Sequence, residues 1–340
     1  MKRYLLPKDG NFYKANLHCH SNISDGEYSV EKLKEIYKSH GYSVLAYTDH
    51  DVFVPHHDLT DDEFLALAGF EMQYNENGTY PAGKDLKTSH FCFIAKSPDI
   101  ILHPDWNEKC VRSAAHSKHL VKYDKSIPQK ERNHSVQCIN ESIKKARDAQ
   151  FFITYNHPTW SLDEHDDYIQ YEGMFAMEIF NNDCSLLGYN SYVPDIYDDM
   201  LRAGKRIYAV AADDNHNKFP LEHPKFDSFG GFVMIKAPEL KYEAVTEALF
   251  AGNFYASQGP EIYDLYIEDD IIHILCSEVQ MIALNTGRRS TQSEFAPVGE
   301  SLTEASFSFT QEDKYLRLTL RDAYGKYANT SAYFCDEIYK

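Results

Sequence analysis

Two imidazoles lie two residues apart in the run NLHCHSNISDG, where His18 and His20 project to the same side of an extended strand or strand end and can reach one ion. With 16 histidines in 340 residues, roughly one such pair arises by chance, so the pair gains weight only from what accompanies it. What accompanies it is a series of strand-like runs, each bearing an imidazole or carboxylate at one end. YTDHD at 47–51 closes an apolar run in Asp49, His50 and Asp51, FLALAGFEM delivers Glu71, and HFCFIA begins with His90. FFITYNHP ends in His157, and IYAVAADDNH ends in Asp214 and His216. Imidazole mixed with carboxylate suits zinc, iron or manganese, whereas a structural zinc site would draw on thiolates.

The elements that must carry these residues alternate. Val30, Leu33, Ile36 and Tyr37 share a helical face with Gly41 as the stop, and the apolar run Ser43–Tyr47 follows. The same order recurs as Val136, Ile139, Ile143 and Ala146 before Phe151–Tyr155, and as 195–203 before Ile207–Ala212. With runs at 64–72, 91–95 and 175–180 this makes a β/α series through about residue 258, which predicts a parallel barrel in preference to an open sheet. After the helix at 244–251 and the turn SQGPE the pattern becomes period-two alternation with no further helix, as in Leu316, Leu318 and Leu320 against Arg317, Thr319 and Arg321. The expected organisation is a barrel over 1–258 and a small antiparallel β-sandwich over 259–340, packed directly together.

Composition narrows the function. A hydrophobic fraction of 43% supports a substantial core. The seven cysteines form no CxxC pair and are odd in number, and the first residues show no leader pattern, so a reducing cytoplasm and no membrane association are expected. A formal charge of -18 disfavours a nucleic-acid polymer as partner and favours a small substrate. Oligomeric state is not legible. No GxSxG, GxxxxGK[ST] or GxGxxG is present, which turns the expectation away from serine-hydrolase, nucleotide-driven and hydride chemistry.

The motifs HCH, SDG, TDHD, GFE, a lone His, NHP and DNH, in that order over residues 15 to 216, resemble the PHP (polymerase and histidinol phosphatase) family. The resemblance implies a distorted seven-stranded TIM-like β/α barrel with two or three divalent ions at one rim. It implies that His18, His20, Glu71 and Asp214 hold a first ion, that Glu71 bridges to a second on His90 and His157, and that Asp25, His50 and His216 hold a third. Some members have histidine at the position of Asp25. Asp49 and Asp213 read as partners that orient an imidazole or position water. The C-terminal stretch from NFYASQGPEI to RDAYGKYA is similar to the tail of a branch that includes carbamate hydrolases.

The function these readings favour is a metal-dependent phosphoesterase acting on a small phosphorylated metabolite or nucleotide through a metal-held hydroxide, with Asp214, His216 and Glu71 central to catalysis. Alternatives are carbamate, ester or amide hydrolysis at the same ions, and a metal-binding module without catalysis. One further feature is electrostatic. Residues 112–133 carry six basic side chains against two acidic ones, which predicts a rim segment whose Lys130 or Arg132 clamps the distal part of an anionic substrate, with Ser135 capping the next helix.

Overall fold

The computed structural model describes residues 2–76 and 87–340. Its first part runs β1 (Arg3–Tyr4), β2 (Asn11–Asn16), α1 (Val30–Ser39), β3 (Val44–Tyr47), β4 (Leu65–Asn75), β5 (Thr88–Ala95), α2 (Val136–Asp148) and β6 (Phe151–Tyr155). It continues through α3 (His165–Tyr168), β7 (Ala176–Asn181), α4 (Asn182–Leu186), α5 (Pro194–Arg202), β8 (Tyr208–Ala212), β9 (Phe232–Ala237), α6 (Tyr242–Ala251) and β10 (Phe254–Ser257). The helices start where the sequence supplies a cap. Ser29 accepts from Lys32 N ahead of α1 and Ser135 from Cys138 N ahead of α2, each satisfying an otherwise orphaned N–H. Val30, Leu33, Ile36 and Tyr37 of α1 are buried, as their spacing predicts.

These strands form a mixed sheet in the order β9-β2-β3-β4-β5-β6-β7-β8. Pairings β2/β3, β3/β4, β6/β7 and β7/β8 are parallel. Against the expectation of an all-parallel barrel, β5 runs antiparallel to both neighbours and β9 antiparallel to β2. Strand β5 runs back along β4, residue for residue from Gly69 opposite Ile94 to Asn75 opposite Thr88. Its inversion explains why His90 lies near the start of a strand while His18, His20, His50, His157, Asp214 and His216 follow strand ends and Glu71 sits inside β4: all reach the same rim. The sheet is also not closed by a ladder, since β8 and β9 share none among the described residues. Instead the segments beyond β2 and β8 meet at the rim, where Cys19 and Asn215 form a parallel bridge and Asp214 N donates to His18 O at 3.0 Å.

Beyond residue 258 come β11 (Ile262–Glu268), β12 (Ile271–Val279), β13 (Met281–Thr286), β14 (Gln292–Phe295), β15 (Leu302–Ser308), β16 (Tyr315–Arg321), β17 (Tyr327–Thr330) and β18 (Tyr333–Phe334). A single-turn helix, α7 (Cys335–Ile338), follows, which the alternation pattern did not predict. One sheet is β1-β11-β12-β15, so the N-terminal strand is paired with this part of the chain. The other strands extend the large sheet, because β17 pairs with β10. Ile262, Leu265 and Ile274 from one sheet and Ile282, Leu318 and Leu320 from the other share one apolar core.

Strand β16 is more than half-buried. Leu316, Leu318 and Leu320 face that core, but Arg317 is buried too, its guanidinium donating from Nε and Nη2 to the two Asp198 carboxylate oxygens of α5 at 2.7 and 2.6 Å. A forked ion pair of this kind fixes orientation as well as proximity. No helix among the described residues is long and apolar enough to cross a membrane.

Candidate metal centre

Glu71 occupies the middle of the rim. Its Oε1 lies 3.2 Å from His18 Nε2, 3.2 Å from His90 Nδ1 and 3.4 Å from His157 Nε2, and its Oε2 lies 2.9 Å from His50 Nδ1 and 3.5 Å from His20 Nε2. Asp214 Oδ1 is 3.1 Å from both His18 Nε2 and His20 Nε2, which are themselves 3.1 Å apart. Asp25 stands further out, with its carboxylate 3.8 Å from His50 and 3.6 Å from His216. The structure therefore brings together every one of the expected ligands His18, His20, Asp25, His50, Glu71, His90, His157, Asp214 and His216. They fall into overlapping groups: His18, His20 and Asp214; His18, Glu71 and His157; His50, Glu71 and His90; and the wider set His20, Asp25, His50 and His216.

Hydrogen bonds leave part of this cluster unsatisfied. His18 Nδ1 faces Glu178 Oε1 at 2.7 Å, which assigns that nitrogen a proton and would leave Nε2 free to ligate a divalent ion in place of a second proton. Glu71 Oε2, His50 Nδ1, His90 Nε2 and Asp25 Oδ1 are buried without a hydrogen-bond partner. Buried polar atoms without partners are costly, and a cation among these carboxylate oxygens and imidazole nitrogens would satisfy them. Ligand atoms held at 2.0–2.2 Å from one tetrahedral ion would be roughly 3.3–3.6 Å apart, close to the separations seen here. The donor set fits divalent ions.

The electrostatics agree. Burial opposes ionisation of Glu71, yet His18, His90 and His50 hold its carboxyl well below the ordinary range, and Asp214 is held down in the same way by His18 and His20. Burial likewise opposes a charge on His50, but Glu71 and Asp25 raise it to about 10. His216, with burial and the neighbouring His20 acting together, is pushed down to about 3. The carboxylates remain ionised and draw positive charge into the cluster.

The backbone is bent to serve this geometry. His157 and Asp214 adopt positive φ values of 24° and 55°, a sparsely populated conformation for side chains other than glycine, and each is pinned through its N–H, to Glu178 Oε2 and to His18 O. A Cβ on Gly26 would stand 2.3 Å from the His20 carbonyl oxygen, so the SDG turn needs its glycine to fold beneath the HCH segment. Among the described residues neither Asp49 nor Asp213 hydrogen-bonds to an imidazole. Asp49 accepts from the N–H and hydroxyl groups of Ser21 and Ser24, and Asp213 from the N–H groups of Phe229, Gly230 and Gly231 and from the Tyr37 hydroxyl. They hold loops in place, and the rings are oriented by others. Glu178 on β7 faces His18, Ser161 Oγ lies 3.2 Å from His157 Nδ1, and Asn156 donates to Glu71 at 2.7 Å.

A cavity of about 500 Å³ opens above the cluster. The expected clamp residues do not line it. Arg132 is buried with Nη1 2.6 Å from Asp51 Oδ1 and donates to the Gln73 carbonyl, while Lys130 lies exposed against Glu141 on another face. Arg132 satisfies the charge of Asp51 and anchors the segment to the rim. The cations that do line the cavity are Arg112, from the start of that same segment, and Lys218 and Lys225, from the loop after His216. Trp160 supplies an aromatic wall, packed edge-on to His90 and His157 at centroid distances of 5.1 and 4.9 Å.

No family model matches the chain, and no curated protein matches it. Solved structures similar to it include a two-domain protein from Bacteroides vulgatus containing a predicted PHP-like metal-dependent phosphoesterase, at 13% identity over 94% of this chain and 93% of that one, TM-score 0.44. A lesion-specific endonuclease from Pyrococcus furiosus matches at 13% identity over 71% and 56% of the two chains, TM-score 0.39. An amidohydrolase from Chromobacterium violaceum matches at 13% over 59% and 87%, TM-score 0.36. The first of these is described by the family that the sequence motifs resemble.

Proposed function

We propose that this chain is a metal-dependent hydrolase of small anionic esters, a phosphoesterase for a small phosphorylated metabolite or nucleotide. The observation that carries the reading is the meeting, in one cavity, of an imidazole and carboxylate cluster suited to zinc, iron or manganese with the three cations Arg112, Lys218 and Lys225. Divalent ions, when bound to such residues, supply Lewis acidity and bring the pKa of a coordinated water towards neutrality.

The chain's own contribution is placement and charge. Glu71 and Asp214 provide anionic oxygens shared between ligand groups, and Glu178 keeps His18 in one tautomer. Arg112, Lys218 and Lys225 concentrate an anion over the cluster in a chain whose net charge would otherwise repel it. Trp160 limits the water that reaches the His90 and His157 side.

The test is a panel of one aryl phosphate, one aryl ester and one aryl carbamate assayed with protein loaded with zinc, iron or manganese. Turnover of the phosphate that chelation abolishes supports the proposal. Turnover confined to the ester or carbamate transfers the same centre to carboxyl chemistry, and no turnover of any of the three rejects hydrolysis of these classes.

A further inference from the structure

The loop between His216 and Asp227 is a built unit. Asp227 accepts from the N–H groups of His216 and Asn217 at 2.7 and 3.0 Å, closing the two ends of the loop on each other. The Asn217 amide adds bonds to Asp227 and Ser228 and accepts one from Asn215. The loop therefore leaves the metal centre at His216 from a fixed base. Between its ends it carries Lys218, Phe219 and Lys225, all exposed and all lining the cavity. Phe219 has one ring face stacked on His223 at 4.4 Å and 14°, and Lys225 Nζ lies 5.9 Å from its centroid. Among the described residues neither lysine forms an ion pair, although Asp183 on the same cavity wall feels the charge of Lys218.

One phosphate does not account for this equipment. Five water-sized groups occupy roughly 150 Å³ at liquid density, so a phosphoryl group with its ester oxygen fills less than half of the cavity of about 500 Å³. The remainder is lined by Phe219, Trp160, Leu186 and Leu187 together with the two lysines and the carboxylates Asp183 and Asp227, with Lys225 beside the Phe219 ring. Apolar walls with a few convergent charges are what fixes the orientation of an organic group, and a cation beside an aromatic face favours a flat ring that bears negative charge.

We infer that the loop 217–226 is the specificity element of the site, and that it selects substrates whose leaving group is a flat ring carrying a second anionic substituent, with Phe219 receiving the ring and Lys218 and Lys225 the anion. This deepens the phosphoesterase reading and rests on it for the reaction. The recognition itself is separable from turnover.

The experiment uses the full chain loaded with manganese, and compares phenyl phosphate, 4-carboxyphenyl phosphate and ethyl phosphate by kcat/KM. It also measures the affinity of non-hydrolysable 4-carboxyphenylphosphonate, phenylphosphonate and ethylphosphonate by calorimetry. Wild type is expected to favour the carboxylated ring at least tenfold over phenyl in both measures, and to bind phenylphosphonate more tightly than ethylphosphonate. The double substitution Lys218→Gln and Lys225→Gln is expected to lower both kcat/KM and affinity for the carboxylated compounds at least tenfold more than for the unsubstituted ones, and Phe219→Ala to erase the tighter binding of phenylphosphonate over ethylphosphonate. Equal losses for all compounds, or no preference in wild type, would overturn the inference. If no phosphate is turned over, the phosphoesterase reading fails alone, and the phosphonate affinities still decide whether the loop reads a ring with an anion.

Discussion

Nδ1 of His18 lies 2.7 Å from Oε1 of Glu178, with both side chains buried. That contact assigns Nδ1 a proton and points Nε2 towards Glu71, Asp214 and His20, where it would ligate a bound ion. The same Glu178 accepts from the backbone N–H of His157 and from the Asn181 amide, so one carboxylate sets two ligand positions.

Replacing it by an isosteric amide should therefore weaken metal binding without removing a ligand. Glu178→Gln is expected to lower metal affinity about 10- to 100-fold, the range for partners that orient a ligating histidine. Competition with a chromophoric chelator reads this directly, and an affinity unchanged within twofold would show that Glu178 has no part in orienting His18.

Arg132 is expected to govern stability and not substrate affinity. It stands 2.6 Å from buried Asp51, and removing one member of a buried pair leaves the other charge uncompensated, at a cost of ~3–5 kcal/mol. Arg132→Met should lower the unfolding free energy in denaturant by that order. Adding Asp51→Asn should recover much of it, since Asp51 sits at φ 60°, a conformation asparagine tolerates. A loss under about 1 kcal/mol for the single variant would contradict the pairing.

What the sequence could and could not say follows from the same residues. His18, Glu71, His157 and Asp214 were legible because an apolar strand ending in imidazole or carboxylate has little reason to do so for packing. Glu178 was not, although its signal was present: a single carboxylate inside the apolar strand Ala176–Asn181, where an unpaired charge would be expensive. The inversion of β5 was hidden because HFCFIA reads the same in either direction of pairing. Lys130 and Arg132 misled because local charge density does not reveal which side of a segment faces inward. Arg132 turned inward to Asp51 and Lys130 outward to Glu141, while the cavity drew its cations from Arg112 and from a loop whose motif, DNH, had been read only for its ligands.

The pair His134 and Asp163 should make stability depend on pH. Burial disfavours charge on His134, but the Asp163 carboxylate 2.9 Å away outweighs it and raises the imidazole above 6.5. A group whose pKa is raised on folding contributes fully below its unfolded value and loses that contribution as pH rises through the folded one. The difference in melting temperature between wild type and His134→Gln is therefore expected to be larger at pH 6 than at pH 9, with metal effects common to both chains cancelling. A difference that is flat, or that grows with pH, would contradict the assignment.

The most direct test is the metal content per chain of wild type and Glu71→Ala, measured by inductively coupled plasma mass spectrometry after loading and exhaustive dialysis. Glu71 touches the imidazoles of His18, His20, His50, His90 and His157, so every reading of the centre passes through it. Wild type is predicted to retain about two or more equivalents, and Glu71→Ala less than half as much with an unchanged near-ultraviolet circular dichroism spectrum. A wild type that keeps no metal, or a variant that keeps all of it, would contradict the existence of the centre.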